Sequence, residues 1–279
     1  MKTKRRVLGR IASGLVFKNW LATRDMLPSS IFYEGGDGAV FLVSYPKSGN
    51  TWLRFIVANL MSKEGVTFDN IDDIVPDAGR VSVRGISELS HPKVVKSHSV
   101  FDSAFGKVIY IVRDPRDVFI SEFHYHKKYG RLSAADELGD FLERFLTGEL
   151  TPVKYGNWQT HVASWSAMRD SPNMVWIRYE DLYNDDAAMT VMRVADLIGK
   201  SATLDDVQSA LHLSSSDRMR KLETDSAWTS ERRPEKDKRI PFVREARTGQ
   251  WKGVLSKRMA DRIEEVWRPW MIEMGYLDS

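Results

Sequence analysis

Four apolar runs stand out because they do not alternate with polar residues. Residues 39–45, 93–96, 107–113 and 173–179 are rich in β-branched and aromatic side chains and nearly continuous. A strand with one wet face alternates, so continuous runs predict strands covered on both faces, as in a parallel sheet. Residues 51–61 are apolar on most sides, which predicts a helix packed deep against that sheet. Asp114 before Pro115 reads as an N-cap and a first helical residue, predicting a helix from Pro115 to about Lys128. Further helical patterns cover Ala187–Ile198, Leu204–Leu213 and residues 257–274. Strands alternating with helices predict a single α/β domain with a central, mostly parallel sheet flanked by helices.

No internal repeat or low-complexity block interrupts this pattern. Residues 230–239 are densely charged and contain Pro234. By default they form a solvated surface loop; as a lid they would close over an anionic ligand. The first 37 residues read as an N-terminal helical extension, leaving residues 38–279 for the main domain. The extension starts with Lys2, Lys4, Arg5 and Arg6, and its apolar run at 11–17 stops at Lys18, too short to cross a bilayer. A surface helix packed on its own domain is the simpler reading; peripheral contact with a membrane surface is the alternative.

Composition narrows the chemistry. With 42% hydrophobic and 28% charged residues, the 279-residue chain has the balance of a folded protein. A formal charge of +3 gives no sign of a nucleic-acid partner, while suiting an anionic ligand. No cysteine is present, so disulfides, thiolate zinc sites and a thiol nucleophile are excluded, and a reducing cytoplasm is a compatible location.

The most informative segment is Tyr45-Pro46-Lys47-Ser48-Gly49-Asn50-Thr51-Trp52, which follows the first predicted strand and opens the first helix. Such a turn presents backbone N–H groups and a helix N-terminus to a phosphate, a P-loop-like core. Lys47 adds charge, and Ser48 and Thr51 add hydroxyl donors. The lysine precedes the glycine, unlike the usual triphosphatase loop, where Gly-Lys-Ser/Thr closes the motif.

This segment resembles the 5′-phosphosulfate loop of sulfotransferases that use 3′-phosphoadenosine 5′-phosphosulfate (PAPS), written Tyr-Pro-Lys-Ser-Gly-Thr-Thr-Trp. Asn50 stands in place of one Thr and keeps the backbone donor. Residues 108–121 resemble the family's 3′-phosphate segment, which implies that Arg113 and Ser121 bind that group. Guanidinium forks pair well with phosphate oxygens; by itself, Arg113 reads equally well as an ion-pair partner of Asp117. Tyr179-Glu180-Asp181-Leu182 resembles a segment whose tyrosine lies near the adenine, and Trp52 offers the same base a second aromatic face.

Residues 242–252 resemble the pattern Arg-Lys-Gly-x-x-Gly-Asp-Trp-Lys. Ungapped, this puts Arg244 on the family's Arg and Ala246 on its first Gly; gapped, it puts Arg247-Thr248-Gly249 on Arg-Lys-Gly. Either arginine reaches for the 3′-phosphate in this reading. Ser216 replaces a phenylalanine that stacks on adenine in other members. The resemblance runs from about residue 38 to the C-terminus, with its motifs in family order.

The resemblance implies PAPS as donor, 3′-phosphoadenosine 5′-phosphate (PAP) as product and no metal. His98, on the strand-end segment Lys96-Ser97-His98, resembles the family's general base, and imidazole titrates near neutrality. Lys47 and the amides of Ser48, Gly49, Asn50 and Thr51 would neutralise the leaving 5′-phosphate, and Lys96 would steer the sulfonate or tune His98. The acceptor is a hydroxyl or amine on a small molecule, carbohydrate or lipid, with His124 or His126, Tyr125 and Tyr129 as candidate lining. Trp158 and Trp165 read as core. The alternatives are a kinase or NTPase using ATP and magnesium, and a nucleotide-binding module without catalysis.

Overall fold

The computed structural model describes residues 38–62, 64–80, 85–86, 88–226, 237 and 239–279. The N-terminal extension and the charged loop, apart from Asp237 and Arg239, lie outside the described residues. β1 (Val40–Ser44) turns into α1 (Asn50–Met61), followed by the short α2 (Ile71–Ile74). β2 (Val94–Ser97) and β3 (Lys107–Val112) lead to α3 (Pro115–Lys128), α4 (Leu138–Thr147) and α5 (Trp158–Ser166). β4 (Met174–Arg178) passes through a 3-10 turn (Tyr179–Tyr183) into α6 (Ala187–Ile198), α7 (Leu204–Leu213) and α8 (Ser216–Asp225). The chain closes with α9 (Trp251–Val254) and α10 (Lys257–Glu273). No helix among the described residues is long and apolar enough to cross a membrane.

The four strands form one sheet in the order β2-β1-β3-β4. Every pairing is parallel, with Val40 opposite Val94 and Lys107, and Val108 opposite Met174. The sheet is covered on both faces, which is why the strand sequences do not alternate. Val40, Leu42, Ile109 and Ile177 pack towards α1, α6 and α7. Phe41, Val43, Tyr110 and Val112 pack towards α3, α5 and α10, where Trp158, Trp165 and Trp267 are fully buried. α3 begins as its sequence dictates: Asp114 accepts from the Arg116 N–H and Pro115 occupies the first turn.

α4 and α8 are among the helices that go beyond the sequence expectations. α4 is closed by a capping box between Glu137 and Asp140. α8 buries only Met219 and therefore carries no apolar stripe to read.

α1 is the helix that positions the turn from Tyr45 to Gly49. Leu53, Phe55, Ile56 and Val57 are all fully buried on it, each contributing roughly 1.5–3 kcal/mol. That burial fixes the helix without any side-chain cap at its start. The turn before it carries Lys47 at φ 63° and Gly49 at φ 98°. A Cβ on Gly49 would stand 2.3 Å from Tyr179 Cδ2. Glycine is thus required twice, for a left-handed backbone and for the tyrosine ring. Gly49→Ala is expected to destabilise the fold by about 2 kcal/mol or more, read from urea unfolding.

Candidate active site

The parallel register brings four chain segments out at one edge of the sheet. Tyr45 follows β1, His98 follows β2, Arg113 follows β3 and Tyr179 follows β4. Open parallel sheets bind ligands at this edge. A cavity of about 610 Å³ opens there, walled by the β1–α1 loop, one face of α3 and residues 242–246.

The first niche lies at the N-terminus of α1. Its cap residue, Gly49, offers no side chain to the first-turn N–H groups, which carry the positive end of the helix dipole. Gly49, Asn50, Thr51 and Trp52 all line the cavity. Ser48 is fully buried and its Oγ has no partner. Asn50 turns its amide away from the loop, donating to Ser44 Oγ at 3.1 Å, so it anchors the turn to the strand end. The Lys47 ammonium sits 4.6 Å from the Tyr125 ring and 4.7 Å from the Phe242 ring. Burial pulls its pKa down to about 8, against the opposing pull of Glu122.

The second niche centres on Arg113, only 5% exposed. Its carbonyl accepts from Trp158 Nε1 at 3.1 Å, which fixes the strand end. Its guanidinium lies 4.2 Å over the Tyr179 ring and donates to the carbonyls of Lys47 and Arg247 at 3.4 and 3.1 Å. Nε is buried without a partner. Asp117 is 3.9 Å away, and its carboxylate is engaged by the N–H groups of Gly249 at 2.7 Å and Trp251 at 2.9 Å. The ion-pair reading of Arg113 therefore accounts for little of its donor capacity.

Ser121 lies two turns along α3 and lines the same cavity. So does Arg244, which donates to Gln250 Oε1. The side chain of Arg247 is 61% exposed and pairs with Glu245 at 3.2 Å. The cavity lining among the described residues includes neither Arg247 nor Thr248 nor Gly249. Ala246 has φ 48°, the left-handed backbone that a glycine would adopt without strain.

Against Arg113 stands an aromatic slot. Trp52 is 5.5 Å from Tyr179 and 4.8 Å from Tyr183, and its Nε1 donates to Ser214 at 2.9 Å. The hydroxyls of Tyr179 and Tyr183 are 2.7 Å apart, and Tyr183 donates to the Ala246 carbonyl. The sequence reading missed Tyr183. Its signal was its position four residues after Tyr179, just past the matched tetrapeptide. Ser215 and Ser216 also line this end of the cavity.

His98 faces the cavity with its tautomer fixed. Nδ1 lies 2.8 Å from the Ser44 carbonyl, which can only accept, so Nδ1 carries the proton and Nε2 holds a lone pair. Burial, then the nearby Lys96 charge, pulls the imidazole pKa down to about 3, so the free ring is neutral. His161, missed from sequence, donates from Nε2 to the His98 carbonyl at 3.1 Å and bonds the Tyr110 hydroxyl through Nδ1. Lys96 is held at 2.6 Å by Asp77. Burial pushes the Asp77 carboxyl up, and the Lys96 ammonium outweighs it and holds the group low. Among the described residues, no group of three or more His, Asp or Glu is placed to hold a metal.

An open helix N-terminus with Lys47 and a buried guanidinium beside an aromatic slot, on the carboxyl edge of a parallel sheet, give the chain a nucleotide-binding fold of the P-loop-like α/β class. Residues 37–275 match the family model described as a sulfotransferase domain. Sulfotransferase 2A6 of Rattus norvegicus is 30% identical over 247 residues, covering 82% of this chain and 83% of that protein. The 3-alpha-hydroxysteroid sulfotransferase of Cavia porcellus is 29% identical and covers 83% of each. The chain therefore belongs to the sulfotransferase family. Its fold is shared with mouse sulfotransferase SULT7A1 complexed with PAP, at 24% identity, a TM-score of 0.67 and 89% coverage of each chain. Retinol dehydratase in complex with androsterone and inactive cofactor PAP aligns with a TM-score of 0.63 at 22% identity, over 84% of this chain and 80% of that one.

Asp117 ties the segment bearing Arg244 to α3. Asp117→Asn places an amide donor against one of the two backbone N–H groups it accepts. A loss of about 1–3 kcal/mol is expected, measured by chemical denaturation.

Proposed function

We propose that the protein transfers the sulfuryl group of PAPS to a hydroxyl or amine of a small acceptor, with His98 as general base. The PAP carried by solved structures of the same fold supports this donor. So does the chemistry of the niches: buried donors with unused capacity, Ser48 Oγ and Arg113 Nε, suit phosphate oxygens. In this reading Arg113, Ser121 and Arg244 hold the 3′-phosphate. The α1 N-terminus and Lys47 hold the 5′ end, and Trp52, Tyr179 and Tyr183 flank the adenine. Arg244 is preferred over Arg247 because it lines the cavity. PAPS, when bound, supplies the sulfuryl group and a leaving phosphate.

The chain's own residues do the rest. Lys47 and the first-turn amides of α1 meet the charge that develops on the leaving side, with dipoles already oriented. His98 Nε2 takes the acceptor's proton, and the Ser44 carbonyl keeps the imidazole in the receptive tautomer throughout. An anion at Lys47 raises the basicity of the neighbouring imidazole by favouring its protonated form. The base is thus weak in the free protein and strengthened when the donor is in place. Lys96, paired to Asp77, acts on His98 through its charge. The single observation that carries the catalytic part is the fixed tautomer of His98. A binding module without catalysis has no need of an imidazole lone pair turned to the cavity, and membership in the sulfotransferase family displaces the ATP reading.

His98→Ala is expected to lower turnover of labelled PAPS by about 10²-fold or more, while calorimetric PAP affinity stays within about threefold. Loss of PAP binding in this variant would move His98 from catalysis to nucleotide binding.

A further inference from the structure

The face of α3 that carries Ser121 continues as Glu122, Tyr125, His126 and Tyr129, at helical spacing, passing the Lys47 ammonium at Tyr125. These residues line the cavity, together with Thr151 and Tyr155. Glu122 is only 3% exposed. Beside it stand the Tyr45 hydroxyl, bonded to Thr151 Oγ1 at 3.1 Å, and His126, whose Nε2 is 3.9 Å from Glu122 Oε2. His126 Nδ1 is buried without a partner. Four residues past Thr151, Tyr155 reaches His98, with ring centroids 5.7 Å apart. One wall thus runs from the proposed base to a buried carboxyl, and nothing in the nucleotide reading uses that carboxyl.

We infer that the acceptor is a neutral, multiply hydroxylated molecule, a sugar or polyol, which offers one hydroxyl to His98 and seats another against Glu122. This rests on the sulfotransferase reading and narrows its acceptor class. Glu122 already shares a hydrogen bond with the Tyr45 hydroxyl; a wholly apolar acceptor leaves the rest of the carboxyl's donor and acceptor capacity unused, whereas a hydroxyl uses it. An ammonium-bearing acceptor meets Lys47 and Arg131 on the cavity wall, where the carboxylates of Asp77 and Glu245 are already paired with Lys96 and Arg247. An uncharged hydroxyl avoids both costs.

Burial pushes the Glu122 pKa up to about 8, so at neutral pH it is mostly a protonated carboxyl that both donates and accepts, matching a hydroxyl. Tyr125, Tyr129 and Tyr155 line the cavity with side chains that are apolar in body and polar at the tip, which suits a molecule carrying hydroxyls on a carbon frame. The relatives named for hydroxysteroids differ in the acceptor named, not in the reaction.

The test uses the full chain and labelled PAPS. Methyl glucoside and myo-inositol are compared with 1-octanol, a 3-hydroxysteroid and ethanolamine, with PAP binding measured separately by calorimetry. The expected result is a kcat/KM for at least one polyol about tenfold or more above each of the other three. Glu122→Leu should raise the polyol KM about tenfold or more with kcat changed less than about threefold. Glu122→Gln, which keeps a donor and an acceptor, should hold KM within about threefold and serves if the leucine variant does not fold. Faster transfer to octanol, the steroid or ethanolamine overturns the inference. PAP binding with no polyol sulfated, or an unchanged polyol KM in a folded leucine variant, overturns it as well. Absent PAP binding would instead strike down the sulfotransferase reading beneath it.

Discussion

Everything at the site depends on four strands running the same way. β1 pairs in parallel with β2 and β3, and β3 with β4, so the chain leaves the sheet four times at one edge. Each exit delivers a different function: an anion-cradling turn, an imidazole, a guanidinium and an aromatic ring. Parallel pairing needs crossovers, and those from β1 to β2 and from β3 to β4 supply α1 and α3, two helices that wall the cavity. The closest dependence is between Gly49 and Tyr179. The ring at the end of β4 occupies the space a side chain at Gly49 would need, so the phosphate turn and the aromatic slot are shaped by one contact.

The electrostatics of the free protein are those of a site awaiting negative charge. Lys47 and Arg113 are largely buried, and Arg113 spends its donors on carbonyls, with Nε left over. Burial depresses Lys47, and the surrounding cationic charge of Arg113 and Arg244 depresses it further. An anionic ligand relieves all of these at once, since opposite charge at close range favours the charged form of each group. The same charge raises His98, whose neutrality in the free protein comes from burial and Lys96. In the proposed mechanism, donor binding and the activation of His98 as base are therefore coupled without any moving part.

Much of this was legible in the sequence, and particular residues show why. Continuous apolar runs marked the strands because both faces are covered, and Asp114-Pro115 marked the start of α3 because a cap and an N1 proline are local chemistry. The β1–α1 turn was legible because a tight strand-to-helix turn with a left-handed residue demands a glycine, here Gly49. The choice between Arg244 and Arg247 was not, since three residues decide which side chain faces the cavity and which pairs with Glu245. Glu122 and His161 were invisible for a different reason. One reads as an ordinary helical glutamate and the other as a lone histidine, until tertiary packing buries both. α8 left no apolar stripe because it rests on the domain through Met219 alone among its buried residues.

The claim on which the rest turns is that two separate niches grip one nucleotide at both ends of its ribose. Calorimetry of PAP against adenosine 5′-phosphate, at one pH and salt concentration, isolates the second niche, because the two ligands differ only in the 3′-phosphate. The two-site grip predicts PAP to bind about tenfold or more tightly, with that advantage lost in Arg113→Ala. Equal affinities for the two nucleotides in the unaltered protein would contradict it.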